Sequence, residues 1–171
     1  MTLQQIYFGY FATMMTIISL LVVSRKNPVH SVLWMLVLFV HMAGLYLFLN
    51  AEFLAAVQII VYAGAIMVLF LFVIMLLNLR KEEKEFRLQK QWPVSAVTAV
   101  LFLVVLVSIL GKITVLPELG EYSIDMINAQ GSLMTIGNVL YTKYLLPFEI
   151  ASVLLLVAIV GAVVLAKKRI E

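Results

Sequence analysis

The side chains in this sequence that could do chemistry lie in or beside long apolar runs. Glu149 stands in Leu146-Pro147-Phe148-Glu149-Ile150-Ala151-Ser152, Glu52 follows a short polar turn, and His41 sits mid-run. An ionisable group at membrane depth is costly, so each is a candidate for proton movement or for polar contact with a neighbour. Each also has a plainer reading. Glu149 and Glu52 fall near helix starts, where the dipole favours a carboxylate. A neutral His41 would hydrogen-bond to a neighbouring helix, while an imidazole, which can both give and take a proton, also suits a proton relay. His30 falls near the end of a run and reads as solvated.

Tyr62 and Gly64 form a second group, in Tyr62-Ala63-Gly64-Ala65. The Tyr62 hydroxyl, about 14 Å into its run, must find a partner or water. Gly64 lets backbones approach or lets the helix distort. Two readings stand side by side: close packing against a neighbouring helix, or a helical defect such as a π-bulge, which often marks a functional site. Other chemistry is excluded. The chain has no cysteine, hence no disulfide, thiolate-ligated iron–sulfur cluster or thiolate zinc site. Two histidines make no metal site. With no phosphate-binding glycine loop and no nucleophile beside a base, catalytic, metal-binding and cofactor-binding residues are none.

Composition decides what holds these residues. Of 171 residues, 64% are hydrophobic and 12% charged, with a mean hydropathy of +1.12. Soluble domains run about half apolar and about a quarter charged. A chain this size cannot hide so much apolar surface from water, so its solvent is lipid. A span needs about 20 mostly apolar residues. Five stretches qualify, at 6–23, 28–49, 53–77, 93–115 and 145–166. The first lacks a basic leader and a cleavage site and reads as a retained span. Asn27 and Pro28 open the second as N-cap and first helical residue.

The connections differ in kind. Residues 24–27 are short and basic, and 50–52 form a tight turn that makes spans two and three antiparallel neighbours. Residues 78–91 are a charged run that reads as a solvated loop. Residues 116–144 are the one long loop, where Ile136, Val139 and Leu140 at helical spacing predict a short helix on the membrane surface. In span five, Ala158, Ala162 and Ala166 beside Gly161 make a small-residue stripe suited to helix packing. No internal repeat is evident, which weighs against a self-contained transporter.

Orientation follows the basic residues. Arg25, Lys26, Arg80, Lys81, Lys84, Arg87, Lys90, Lys167, Lys168 and Arg169 fall on one side, leaving Lys112 and Lys143 of the 12 on the other. Trp34 and Trp92 sit at the basic face, and Tyr46, Tyr122, Tyr141 and Tyr144 towards the opposite one. The expectation is an all-α, polytopic membrane protein with about five transmembrane helices. It forms a single membrane domain over 1–171, with the N-terminus outside and the C-terminus cytoplasmic. No nucleic-acid partner is expected.

Three segments carry a family resemblance: Asn27-Pro28-Val29-His30-Ser31, Gln58-Ile59-Ile60-Val61-Tyr62-Ala63-Gly64-Ala65-Ile66-Met67-Val68-Leu69-Phe70, and Leu145-Leu146-Pro147-Phe148-Glu149-Ile150-Ala151-Ser152. Together they resemble the subunit J family of proton-pumping NADH-quinone oxidoreductase, respiratory complex I. The likeness covers the five-span plan to about residue 168, and the third-span motif is the specific part. It implies a multi-pass subunit of the respiratory chain in the cell inner (plasma) membrane. That subunit has no redox centre of its own, within a translocase whose NADH, FMN, iron–sulfur clusters and quinone are held by other subunits. The implied neighbours are subunits A, H, K and N. The family's third helix can hold a π-bulge near the stretch matching Tyr62 to Phe70, and its change of form is thought to open and close a water path. Some relatives carry a carboxylate at the position of Gln58, whereas this chain has its acid at Glu52. Glu149 matches the family pattern directly.

The resemblance leads to a coupling subunit: Tyr62 and Gly64 as the switch region of span three, and Glu149, Glu52 and His41 as proton-path or inter-subunit polar groups. The rivals are a purely structural membrane scaffold and a small free-standing transporter.

Overall fold

The structure, a computed structural model, describes residues 2–77, 92–112 and 122–167. The charged run at 78–91, the end of the expected fourth span at 113–115, the first part of the long loop at 116–121, and Lys168 and Arg169 lie outside the described residues. The elements are α1 (Leu3–Ser24), α2 (Pro28–Phe48), α3 (Glu52–Leu76), α4 (Trp92–Lys112), α5 (Ile124–Gln130), α6 (Ser132–Thr142) and α7 (Leu145–Ala166). Helices α1, α2, α3, α4 and α7 are each long and apolar enough to cross a membrane. The five expected spans are therefore present, and the ends that fall on described residues move by at most three residues. The chain divides into two compact units, 1–121 and 122–171.

In the first unit, α1, α2 and α3 pack as consecutive neighbours along the chain. The joint between α1 and α2 is built from its polar residues. The Asn27 side chain accepts from the Val29 N–H at 2.9 Å, and Pro28 takes the first helical position. The Ser31 hydroxyl donates to the Val22 carbonyl and ties the two helix ends together. The Arg25 guanidinium lies 5.7 Å from the centre of the Trp34 ring, a cation–π contact. Aromatic rings line the other end of the pair, with Tyr7 and Phe48 centred 5.3 Å apart.

The turn from α2 to α3 is as tight as its three residues require. The Ala51 N–H donates to the Tyr46 carbonyl at 2.9 Å, and Asn50 takes a φ of 58°. Asparagine enters this left-handed region more readily than most residues. The turn makes α2 and α3 antiparallel. Their shared core is thin: Val32 and Ala43 from α2, and Ala55, Gln58, Ala63 and Met67 from α3. Every described side chain of α4 is exposed.

In the second unit a helix, α6, carries Ile136, Val139 and Leu140, where the spacing predicts a short helix. A further helix, α5, precedes it inside the stretch expected to be loop. Its N-cap, Ser123, accepts from the Met126 N–H at 3.3 Å, and Gly131 ends it at a φ of 86°. Seven residues span too few turns for an apolar period to register. An apolar cleft of about 380 Å³, walled by Ile127, Ile136 and Val139 among others, runs between α5 and α6. Ala158, Ala162 and Ala166 of the α7 stripe are exposed, and among the described residues a Cβ at Gly161 would meet nothing within 4 Å.

Candidate functional site: a π-helical stretch in the third span

Helix α3 is not one kind of helix. It is α-helical over Glu52–Val57, π-helical over Gln58–Ile66, and α-helical again over Met67–Leu76. At the return to α geometry the Met67 N–H is shared between the Tyr62 carbonyl, five residues back, and the Gly64 carbonyl, three back. An α-helix would pair it four residues back. Most π segments are single-turn bulges, so nine residues is a long one. Of the two readings of Tyr62 and Gly64, the structure shows the helical defect.

Gly64 supports the same conclusion. A Cβ built there would meet only the Ile59 carbonyl oxygen, at 3.3 Å, and no atom of another helix. Gly64 therefore does not serve close packing against a neighbour within this chain. The absent side chain relieves the π stretch's own backbone.

The wide turns reset which residues face α2. The buried positions of α3 are Ala55, Gln58, Ala63 and Met67, 4%, 5%, 8% and 4% exposed. The second step is five residues long, where an α-helical face repeats every three or four. The longer step carries Ala63 inward and leaves Tyr62 on the flank, 45% exposed. The Tyr62 ring meets Phe39 of α2 edge-on, with centroids 5.8 Å apart and planes at 76°. Its hydroxyl, expected to need a partner, has no hydrogen bond among the described residues. Beside Ala63 and Met67, a crevice of about 60 Å³ opens against Val32 and Leu36 of α2.

Gln58 opens the π stretch, and its amide nitrogen is buried with no hydrogen-bond partner among the described residues. A buried donor left unpaired costs about 1–3 kcal/mol. The sequence shows Gln58 as part of a motif but not as a strained group. The signal that could have marked it is a side-chain amide within an otherwise apolar helix.

The remaining candidates are spread out. His41 lies on α2 with Nδ1 2.9 Å from the Val37 carbonyl, so its bond is to its own helix and not to a neighbouring one. A carbonyl can only accept, so Nδ1 carries the proton in this contact. Its ring centre lies 6.3 Å from that of Tyr10 on α1. Glu52 is the first residue of α3 and is exposed, as its first-turn position predicts. Glu149 belongs to the second unit, near the start of α7. It is exposed, and its backbone carbonyl accepts from the Ser152 hydroxyl at 2.7 Å. Among the described residues no group of three His, Cys, Asp or Glu could hold a metal ion. Tyr62 and Gly64 thus share one π segment with Gln58, while His41 faces α1 and the two acids sit at separate helix starts.

Comparison with known proteins adds a family. Residues 18–165 match the family model described as NADH-ubiquinone/plastoquinone oxidoreductase chain 6. NADH-quinone oxidoreductase subunit J of Rickettsia felis is 40% identical, the match covering 97% of this chain and 82% of that protein. NADH-ubiquinone oxidoreductase chain 6 of Marchantia polymorpha is 37% identical over 96% of this chain and 87% of its own length. NAD(P)H-quinone oxidoreductase chain 6 of Leptolyngbya boryana is 39% identical over 97% and 81%.

Proposed function

The chain belongs to the NADH-ubiquinone/plastoquinone oxidoreductase chain 6 family, and from that premise we propose that it is a membrane subunit of a proton-translocating quinone oxidoreductase whose third span couples quinone reduction to proton movement by changing helical form. The observation that carries this reading is the π stretch Gln58–Ile66. Converting a π segment to α geometry shifts the residues on one side of it by one position in register. That is about 100° of rotation and about 1.5 Å of rise. Such a helix has two discrete arrangements, which is what a switch requires.

The role is gating. No bond is made or broken on this chain, and the redox cofactors of the complex (NADH, FMN, iron–sulfur clusters and quinone) act on other subunits. Quinone reduction elsewhere biases α3 towards one form. The form decides which side chains, Tyr62 among them, face the neighbouring helices, and so whether water can bridge them. Tyr62 and Gly64 are the switch region. Glu149 gives its exposed carboxylate to a polar partner on an adjacent subunit. Glu52 and His41 are further polar stations. Subunits A, H, K and N are the neighbours, in the cell inner membrane, with the N-terminus outside and the C-terminus cytoplasmic. The exposed side chains of α4 and the largely exposed α7 suit such neighbours, and they equally suit a scaffold whose only task is to hold them.

Gly64→Val separates coupling from scaffolding. The new side chain crowds the Ile59 carbonyl and biases α3 towards one form. A bias of about 2.8 kcal/mol shifts the ratio of forms about a hundredfold. The expected outcome is an assembled complex that still reduces quinone but pumps several-fold fewer protons per quinone. Full coupling in an assembled Gly64→Val complex would remove the switch and leave the scaffold.

A further inference from the structure

Helices α5 and α6 have 7 and 11 residues, too few to cross a membrane, where a span needs about 20. They lead directly into the span α7, which starts at Leu145. The Tyr141 ring meets Phe148 in the first turn of that span edge-on, with centroids 5.1 Å apart. The pair therefore lies at one mouth of α7, at the level where a bilayer passes from hydrocarbon to headgroups. Tyr122, Tyr141 and Tyr144 are exposed there, and tyrosine is enriched at that level.

The cleft of about 380 Å³ between the two helices has the size of a small-molecule site, about 300–1,000 Å³. Its wall is made by Ile127 of α5 and by Ile136, Val139 and Leu140 of α6, all half-buried. Thr135, also on the wall, is buried, and its hydroxyl donates to the Gly131 carbonyl at 3.1 Å. Such a wall fits hydrocarbon. Polar groups gather at the rim. Tyr122 and Tyr144 complete the lining, and the Lys143 ammonium lies 5.7 Å from the centre of the Tyr122 ring. Lys143 is exposed, and its ammonium carries three donors. Lys112 and Lys143 are the exceptions among the 12 basic residues, the rest falling at the opposite ends of the spans. The bias that sets orientation therefore does not account for a lysine here. Asp125, the acid in the first turn of α5, is not on the cleft wall.

We propose that the α5–α6 cleft holds an acyl chain of an anionic glycerophospholipid, with Lys143 holding the headgroup. A tail gains little by leaving the bilayer for a wall of Ile, Val and Leu, because lipid is as apolar as they are. Selection therefore comes from the head: the cleft fixes where the lipid sits, and Lys143 fixes which lipid it is. The place of the cleft at the mouth of a span, and a wall with nothing to orient a peptide backbone, favour a lipid over an acidic helix of a partner subunit. The site is independent of the form of α3.

The test is photolabelling of the intact complex in phosphatidylcholine vesicles. The probe is a trace of phosphatidylglycerol with a diazirine in its acyl chain, or phosphatidylcholine with the same chain, and labelled residues are read by mass spectrometry. Phosphatidylglycerol should label residues 127–140 about fivefold more than phosphatidylcholine, the scale of one lysine near an anionic headgroup. Lys143→Gln should abolish that preference with quinone reduction unchanged. Val139→Trp, which fills the cleft, should lower labelling of this stretch by both probes and leave labelling elsewhere on the chain as it was. Equal labelling by the two probes in the wild type would reduce the cleft to a surface wetted by bulk lipid and overturn the proposal. A preference that survives Lys143→Gln overturns it as well. So does a stretch that neither probe labels, which would mean that a partner subunit covers it.

Discussion

Gly44 and Gly64 show how differently one residue type can work on adjoining helices. At Gly44 a Cβ would meet the Phe11 ring of α1 at 3.1 Å, so the missing side chain lets two helices approach. At Gly64 it would meet only its own helix. Gly44→Val should therefore weaken the α1–α2 pair by about 1–3 kcal/mol, the usual cost of overpacking. Thermal unfolding of the assembled complex would show the loss, and adding Phe11→Ala should recover part of it. No recovery would mean that the glycine serves something other than this contact. The sequence displayed Tyr62 and Gly64 as a break in bulk, which is why they were legible as a pair. It could not show that Gln58 is enclosed without a partner. Enclosure depends on how α2 and α3 pack, which the sequence does not show. His41 was legible as a polar group at depth, but its partner was not. The Val37 carbonyl lies one turn away on the same helix, where sequence spacing allows a bond without requiring it.

At the scale of elements, the ends of the spans were legible because they are made by polar residues with local rules. Asn27 caps, Pro28 starts, and the turn at 50–52 closes a hairpin. Replacing Asn27 with alanine should cost about 1 kcal/mol through the lost cap. The cost would appear as a lower unfolding temperature with quinone reduction unchanged. An unaltered unfolding temperature would show that lipid or a neighbour caps this end instead. The π stretch was not legible in the same way. A helix immersed in lipid is apolar on all sides, so its sequence has no strong period from which a change of pitch could be read. The five-residue step emerges only from burial, and burial is a property of the packed α2–α3 pair. Helix α5 escaped for a different reason: it is short, and its cap, Ser123, lies in a stretch rich in other polar residues.

For the whole molecule, composition alone was enough to require a membrane, and five spans followed from length and hydropathy. What composition could not say is which faces meet protein. The described side chains of α4 are all exposed and α7 buries none of its residues, whereas α1, α2 and α3 share a small core. Orientation rests on the distribution of lysine and arginine. It predicts that Lys26 faces the cytoplasm and Asp125 the opposite side. The chain has no cysteine, so single Lys26→Cys and Asp125→Cys variants can be labelled in sealed vesicles of known sidedness. A membrane-impermeant thiol reagent added from the cytoplasmic side should modify Lys26→Cys and spare Asp125→Cys; the reverse pattern would invert the topology. The central claim is that the third span has two helical forms and that turnover moves it between them. The hydrogen bond of the Met67 N–H in the intact complex, imaged at rest and during quinone reduction, tests it most directly. The expected result is a population bonded to Tyr62, as here, and a second, populated by turnover, bonded to Ala63. A Met67–Tyr62 bond in every particle, resting and working alike, would contradict it.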